Sequence, residues 1–266
     1  MATLSEHVNA EFLRLWVFVL VLLLMSGWES WRPFRPRPRG GRRWTNLLLA
    51  VVDAGVLRLF FPMLAVGVAH WATQTGFGVL NIITMPVWCA VVLSLLLLDL
   101  LVYWQHRLFH RIPVFWRMHA MHHSDVQFDA STGLRFHPLE IVVSMLLKMG
   151  VVAVLGAPLL AVVLFEMLLN ASALFNHANI KLPTRFEYYL RGLIVTPDMH
   201  RIHHSVNPAE HHRNFGFMLS VWDRLFNSYC REAKQNPQTM ELGLKRFRQP
   251  EEQTLRALLI QPFRAQ

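Results

Sequence analysis

Cysteine and charge are both scarce in this chain. Of its 266 residues only Cys89 and Cys230 are cysteines, set in different kinds of segment and without a C-x-x-C spacing, so neither a disulfide framework nor a thiolate zinc site is supported. Charged residues make up 16% of the chain, against roughly 25% in a soluble domain. Hydrophobic residues make up 53%, and that imbalance points toward the bilayer. No Ser/Gly-rich or low-complexity stretch divides the chain and no internal repeat is present, which leaves one compact body as the simplest organisation.

Acidic residues are outnumbered by basic ones, with a net charge of +9. Much of the excess lies in one short segment, Trp31 to Arg43, which carries Arg32, Arg35, Arg37, Arg39, Arg42 and Arg43. Apolar runs flank it on both sides. A basic run between two spans is what the positive-inside rule expects of a cytoplasmic loop, whereas a nucleic-acid arm has no need of such neighbours. The charge therefore argues for a membrane and against nucleic acid.

Three apolar runs, Ala10 to Trp28, Leu47 to Ala72 and Val79 to Trp104, are each near the ~20 residues that cross a hydrocarbon core. The first ends without a small-residue cleavage site and reads as a retained span rather than a signal peptide. The short Gln74–Gly78 connection makes the second and third a hairpin. A further stretch, Leu139 to Phe175, is broken at Gly156-Ala157-Pro158, where Gly and Pro favour a helical hairpin with both ends on one side, although Lys148 and Glu166 interrupt it. The fold expected is all-α: a polytopic helical membrane protein of about five spans. Its amino terminus is outside and its carboxyl terminus inside, with a cytoplasmic, histidine-rich helical cap.

Histidine is where the polar chemistry is concentrated: ten of the 14 histidines lie between His106 and His204. Three clusters stand out, His106-Arg-Leu-Phe-His110, His119-Ala-Met-His122-His123 and His200-Arg-Ile-His203-His204. Residues at i, i+3 and i+4 share one helix face, so each cluster can direct two or three imidazoles toward a common point. Adjacent histidines in the doublets differ by about 100° around a helix, which suits one nitrogen on each of two neighbouring metals. Imidazole serves iron, zinc, copper and nickel about equally, so ligand type alone leaves zinc open. Zinc has no redox chemistry, so oxidation of an unactivated hydrocarbon would require iron with O2 as oxidant. His177, at the end of the last apolar run, has the position and depth of a ligand. His137, ahead of Pro138, fits a ligand, a donor behind the ligands or a helix-start residue. His7, His70 and the His211-His212 pair read as solvent or interface residues.

At these residues the chain resembles the fatty acid hydroxylase and sterol desaturase superfamily, whose mark is HxxxH, HxxHH and HxxHH in an integral membrane protein. The likeness runs from about Leu93 to Tyr229. It extends beyond the histidines to Leu98-Asp99-Leu100-Leu101-Val102-Tyr103-Trp104-Gln105-His106, Arg117-Met118-His119 and Leu134-Arg135-Phe136-His137-Pro138-Leu139-Glu140. Farther on it includes Val195-Thr196-Pro197-Asp198-Met199-His200, Asn214-Phe215-Gly216 and Trp222-Asp223-Arg224-Leu225-Phe226. The resemblance implies a di-iron site with His106, His110, His119, His122, His123, His177, His200, His203 and His204 as ligands. Family members often place another polar ligand four residues before the histidine matched by His177; here that position is Ala173. It also implies three segments: residues 1–92 as membrane spans with the Arg/Pro-rich loop, 93–229 as the catalytic region and 230–266 as a polar tail.

The activity so implied is O2-dependent hydroxylation or desaturation of a lipid or sterol-like substrate, in lipid biosynthesis or modification. No His-Pro-Gly-Gly heme motif or Gly-rich nicotinamide or flavin fingerprint is present. Electrons would therefore come from an external donor such as a cytochrome b5-like protein or a ferredoxin and its reductase. Asp99, Asp125 and Asp198 lie within one or two helical turns of a cluster and are candidates to orient imidazoles; a helix cap or a salt bridge to Arg107, Arg117 or Arg201 is the plainer role. The expected location is the bacterial inner membrane, or the endoplasmic reticulum in a eukaryote, with the histidines on the cytoplasmic face. Two other classes fit histidine-rich membrane proteins: a metal transporter or sensor, and a family member that binds lipid without catalysis. Transport sites usually lie near the bilayer midplane at interrupted helices, whereas these clusters fall just beyond span ends.

Overall fold

A computed structural model describes residues 4–36, 40–61 and 63–264, with side chains from Glu11 onward. Arg37, Arg39 and the side chain of His7 lie outside the described residues. The first three apolar runs form α1 (Leu4–Trp31), α2 (Arg42–Phe60), α3 (Ala65–Thr75), the single turn α4 (Val79–Ile82) and α5 (Val87–Phe109). Then come α6 (Pro113–His123), α7 (Pro138–Leu155), α8 (Leu159–Asn176), α9 (Thr184–Leu190) and α10 (Pro197–His203), followed by the short α11 (Pro208–His211), α12 (Val221–Leu225) and α13 (Leu255–Ile260). No strand occurs among the described residues, only two isolated bridges, Ile194 to Leu219 and Ser205 to Leu242.

Five stretches are long and apolar enough to cross a membrane: Glu11–Trp31, Arg42–Ile82, Val87–Phe109, Pro138–Leu155 and Leu159–Asn176. Large apolar side chains on them point away from the protein, among them Trp16, Leu23, Val87 and Trp88. In water such a belt would be a severe liability; in lipid it is the expected outer surface. Two boundaries differ from the sequence expectation. The second run is broken between Phe60 and Ala65, where the sequence carries Pro62, a residue without the N–H that would continue the ladder. The third span begins at Val87 rather than Val79, because Pro86, with φ −58°, sets a new helix start after the α4 turn.

The interior of the bundle is built from α3, α5, α7 and α8. Ala65, Ala69 and Ala72 on one face of α3 are fully buried and let that helix approach α7 and α8 closely, joined by Leu98, Val152, Val162 and Phe165. At the far end, Gly78 and Gly156 touch backbone to backbone. Both have positive φ, 98° and 65°, and a Cβ on Gly78 would lie 2.2 Å from the Gly156 nitrogen, so neither position tolerates a side chain.

Lys148 and Glu166, which interrupt the apolar hairpin in the sequence, face each other. Lys148 Nζ donates to Glu166 Oε1 at 2.7 Å and Arg14 of α1 reaches Glu166 Oε2 at 2.6 Å, so the carboxylate is shared by three helices. The hairpin is continuous because its charges neutralise one another.

At the opposite end the segments that bear the three histidine clusters, His177 and the His211-His212 pair gather into a cap. Prolines start several of its helices: Pro113 in α6, Pro138 in α7, Pro197 in α10 and Pro208 in α11 each stand in the first turn, where a missing N–H costs nothing. The Arg/Pro segment belongs to this end and is tied into it. Arg42 bonds Asp125 and Asp129, and Arg43 bonds Asp129 and Glu29. The buried Glu29 carboxylate accepts the backbone N–H of Ala130 (2.7 Å) and of Asn179 (2.8 Å). Arg35 donates to the Gln238 and Met240 carbonyls, so three of the arginines read as a topology signal, Arg35, Arg42 and Arg43, are also structural. The segment read as a polar tail folds back as well: Leu258 is fully buried against Leu49 and Met121, and Gln261 bonds the Ala120 carbonyl and Ser124.

Replacing Glu166 by Leu leaves Arg14 and Lys148 buried without a counter-charge and should cost about 3–5 kcal/mol, seen as a lower melting midpoint of the detergent-purified protein. Replacing all three residues by Leu should restore most of the loss. A single variant as stable as the parent would remove the triad from the account of the fold.

Candidate metal centre

The nine histidines named above as ligands fall into two buried groups. His106, His110, His119, His123 and His203 form one; His122, His177, His200 and His204 form the other; within each, ring nitrogens lie within 4.8 Å of one another. The HxxHH doublets divide between the groups: His122 and His123 part company, as do His203 and His204, because neighbouring residues on a helix point in different directions. His106 and His110 come from the end of α5, His177 caps α8, and α6 and α10 supply the rest.

What surrounds the rings determines which nitrogen faces inward. His106 Nδ1 donates to the Phe215 carbonyl at 2.9 Å, His122 Nδ1 to the Arg135 carbonyl at 3.2 Å, His177 Nδ1 to the Ala173 carbonyl at 2.7 Å and His203 Nδ1 to the Arg213 carbonyl at 2.7 Å. His119 Nδ1 donates to Glu140 Oε1 at 2.7 Å. A carbonyl can only accept, so in a neutral imidazole each of the four carbonyl bonds puts the proton on Nδ1 and leaves Nε2 as a bare lone pair, and an ionised Glu140 does the same for His119. Those lone pairs converge. His177 Nε2 lies 3.1 Å from His122 Nε2, 3.2 Å from His204 Nε2 and 3.0 Å from His200 Nε2. In the first group the Nε2 atoms of His106, His119 and His203 and both nitrogens of His110 and His123 are buried with no hydrogen-bond partner.

Protonation does not relieve this crowding. Burial, with neighbouring imidazoles adding to it, holds His122, His123, His200, His203 and His204 well below the ordinary histidine range, and burial pushes His119 down to about 3 and His177 to about 4. Unpaired buried acceptors are costly, and no side-chain donor outside the histidines meets them among the described residues. A cation that prefers nitrogen ligands satisfies them all. The donor set is all imidazole, which suits iron, zinc, copper or nickel and not magnesium or calcium.

The remaining candidates take other roles. His137 lies in neither group: its Nδ1 accepts the Leu139 N–H at 3.2 Å, capping α7, and its Nε2 donates to the Leu259 carbonyl at 3.1 Å. Asp198 pairs with the buried Arg201, and Asp125 with Arg42 and Thr132. Asp99 accepts the N–H groups of Met218 and Leu219 and the Trp222 indole, holding the 218–222 segment on α5. None of the three touches an imidazole of the two groups through a hydrogen bond.

Several functional residues escaped the sequence reading. Glu140 is the carboxylate that does reach a histidine. Asp223 accepts the N–H of Phe215 and of Gly216, both at 2.8 Å, fixing the carbonyl that holds His106. Arg135, fully buried, bonds the Met121 carbonyl, Ser124 and Gln253, which orients the carbonyl that holds His122. Gly133 packs on the Ala173 carbonyl, where a Cβ would lie 2.5 Å from the oxygen and 3.2 Å from His177 Nδ1. Glu140, Asp223 and Arg135 sit in sequence motifs quoted above; their partners are backbone atoms or distant rings, which no spacing displays. His211, expected at a surface, is buried beside His110 and Trp116.

A small cavity of about 50 Å³ adjoins both groups. His106, His119, His122 and His200 line it together with apolar Val102, Phe109, Phe136 and Phe217 and the polar Gln105 and Glu140.

Apolar spans capped by buried, all-imidazole groups define a membrane protein able to hold metal. The fatty acid hydroxylase family profile matches residues 91–228, more than half of the chain, and the chain belongs to that family. Its relatives include ornithine lipid hydroxylase OlsE of Rhizobium tropici, 30% identical over 60% of this chain and 46% of the relative. Human alkylglycerol monooxygenase is 26% identical over 50% of this chain and 29% of its own length. Fatty acid hydroxylase vlmA of a Lecanicillium species is 25% identical over 68% of this chain and 53% of its own length. The chain thus aligns with less than half the length of the first two. No solved structure matches.

Replacing Glu140 by Ala should free the His119 ring and weaken metal retention by roughly 10- to 100-fold, measured as metal left after dialysis against a chelator; Glu140→Gln, which keeps an acceptor, should lose less. The buried neutral histidines also set a pH dependence. In the unfolded chain each binds a proton below about 6.5, while the folded His119 and His177 hold off until about 3 and about 4. Below 6.5 the unfolded state therefore binds more protons and gains. Relative to a His177→Asn variant, the melting midpoint of the metal-free protein should show an advantage that is constant above that pH and shrinks as pH drops toward 4; a difference that stays flat across that range would contradict the buried, neutral ring.

Proposed function

We propose that this chain is a membrane-bound di-iron hydroxylase of a lipid with a long alkyl or acyl chain. His106, His110, His119, His123 and His203 would hold one iron, and His122, His177, His200 and His204 the other. The observation that carries the reading is the convergence of buried ring nitrogens into two adjoining groups, without hydrogen-bond partners in the first and facing only one another in the second. A bound iron pair would supply redox chemistry with O2, the overall reaction putting one oxygen atom into a substrate C–H bond and releasing the other as water, with two protons from solvent and two electrons from an external donor such as a cytochrome b5-like protein or a ferredoxin.

The chain's own residues supply position and dryness. Glu140 and the carbonyls of Phe215, Arg135, Ala173 and Arg213 keep the rings turned inward. Val102, Phe109, Phe136 and Phe217 offer an apolar wall beside His106 and His119, suited to a hydrocarbon segment arriving from the bilayer, and they exclude water from the reacting carbon. Hydroxylation rather than desaturation is favoured because the named relatives are hydroxylases and monooxygenases; two of them act, by name, on an ornithine lipid and an alkylglycerol, both lipids with a polar head. The Arg/Pro segment and the histidines share one end of the bundle, so the positive-inside rule assigns the centre to the cytoplasmic face. A metal transporter fits less well, since the histidines lie at the ends of α5 and α8 and in the cap rather than at mid-membrane breaks.

Protein purified without oxygen from cells grown on Mössbauer-active iron should contain two irons per chain that change oxidation state on reduction and on exposure to O2. Membranes from expressing cells should contain lipid species heavier by one oxygen atom, absent with His122→Ala or His204→Ala. Stoichiometric zinc under iron-replete growth, or oxidised lipids that persist in both variants, would reject the hydroxylase.

A further inference from the structure

A third histidine group lies beside the two described above. His110, His211 and His212 bring ring nitrogens within 4.8 Å of one another, with ring centroids 5.4 Å apart for His110 and His211, 5.6 Å for His110 and His212, and 4.6 Å for His211 and His212. The three differ sharply in accessibility. His212 is exposed, His211 is 8% exposed and His110 is 6% exposed, so the group runs from solvent to the edge of the five-histidine group.

His110 belongs to both. Both of its ring nitrogens are buried without a hydrogen-bond partner, so one can face His119, His123 and His203 while the other faces His211. His211 is also oriented by backbone but presents the other nitrogen: the Ser205 backbone takes one ring N–H, and Nδ1 is left buried with no partner. Trp116, with its ring 5.0 Å from those of His110 and His211, walls the passage on the side of α6. The segment that carries the pair is rigidly placed, since Arg213 holds His203 and Asn214, at φ 54°, bonds the Met199 and Cys230 carbonyls.

From this arrangement we infer that His212, His211 and His110 form a third metal site, open to solvent, through which a divalent transition-metal ion enters the buried centre. Resting on the metal-centre reading above, the inference adds a route to a site with no other exposed ligand. The ion would pass from His212 and His211 to the shared His110 and then inward. Arg111 lies beside His212 and opposes cations by charge, so capture must come from nitrogen coordination. That favours iron, cobalt or zinc over magnesium or calcium, which seek oxygen.

The test is loading of the metal-free, full-length protein with Co2+, following uptake by absorbance and counting ions before and after a brief chelator wash. Wild type should take up chelator-resistant ions quickly and, at high Co2+, one further ion that the wash removes. His212→Asn, an exposed substitution that leaves the interior intact, and His211→Asn/His212→Asn should reach the same chelator-resistant count. They should do so at least ~10-fold more slowly, the scale of effect for a lost supporting ligand, and without the labile ion. Wild-type rates and a retained labile ion in both variants would overturn the entry site. Loss of the chelator-resistant ions in the variants would overturn it too, by making the pair part of the buried centre. A wild-type protein that takes up no chelator-resistant metal would instead reject the centre itself.

Discussion

Imidazole nitrogens facing one another as lone pairs repel, and in this protein nine buried rings are crowded together inside the cap, five of them with Nε2 turned inward. Much of the cap's architecture enforces it. Backbone carbonyls from four separate segments and one carboxylate take up Nδ1 protons, which decides the tautomer of five histidines before any ligand arrives. Each carbonyl is itself anchored: Phe215 through Asp223, Arg135 through its own guanidinium, Ala173 by the close approach of Gly133. The frustration is local and is sustained by packing and hydrogen bonding in the rest of the molecule.

Charge is managed by separation. Neither buried group includes a carboxylate, so the positive charge of bound metal would be met at a distance, by Glu140 behind His119 and by Asp125 and Asp129 nearby. Those aspartates are already engaged by Arg42 and Arg43, and Glu29 joins the same network while bonding the backbone beside the histidine segments. The cap is thereby fastened to α1 and α2 by ion pairs, and to α5, α7 and α8 by the chain continuing out of the bilayer.

Hydropathy made the bundle legible, and helical spacing made the histidines legible, because both are periodic properties of side chains. The division of each doublet between two groups follows from the same periodicity. What escaped has a common physical origin. The acceptors that orient the rings are mostly carbonyl oxygens, identical at every residue, so Phe215, Arg135, Ala173 and Arg213 carry no signature of that role. Glu140 lies in a motif that was noticed, but its partner His119 is 21 positions away in sequence. Lys148 and Glu166 looked like interruptions because their pairing depends on how α7 folds against α8. His211 looked like a surface residue because α11 is a single turn whose tuck beneath Trp116 is decided by tertiary contacts.

The three-helix ion cluster also bears on how the protein reaches the membrane. An isolated α7 would carry an unpaired ammonium into hydrocarbon and an isolated α8 an unpaired carboxylate, each a penalty of roughly 3 kcal/mol on insertion scales. Together, with Lys148 against Glu166, the two helices present a neutral surface, and α1, made earlier by the ribosome, already offers Arg14. Biogenesis is thus biased toward insertion of the hairpin as one unit against a waiting first helix, a built-in order of assembly in which the α8 end carrying His177 meets α5 and α6 before the α10 histidines are added.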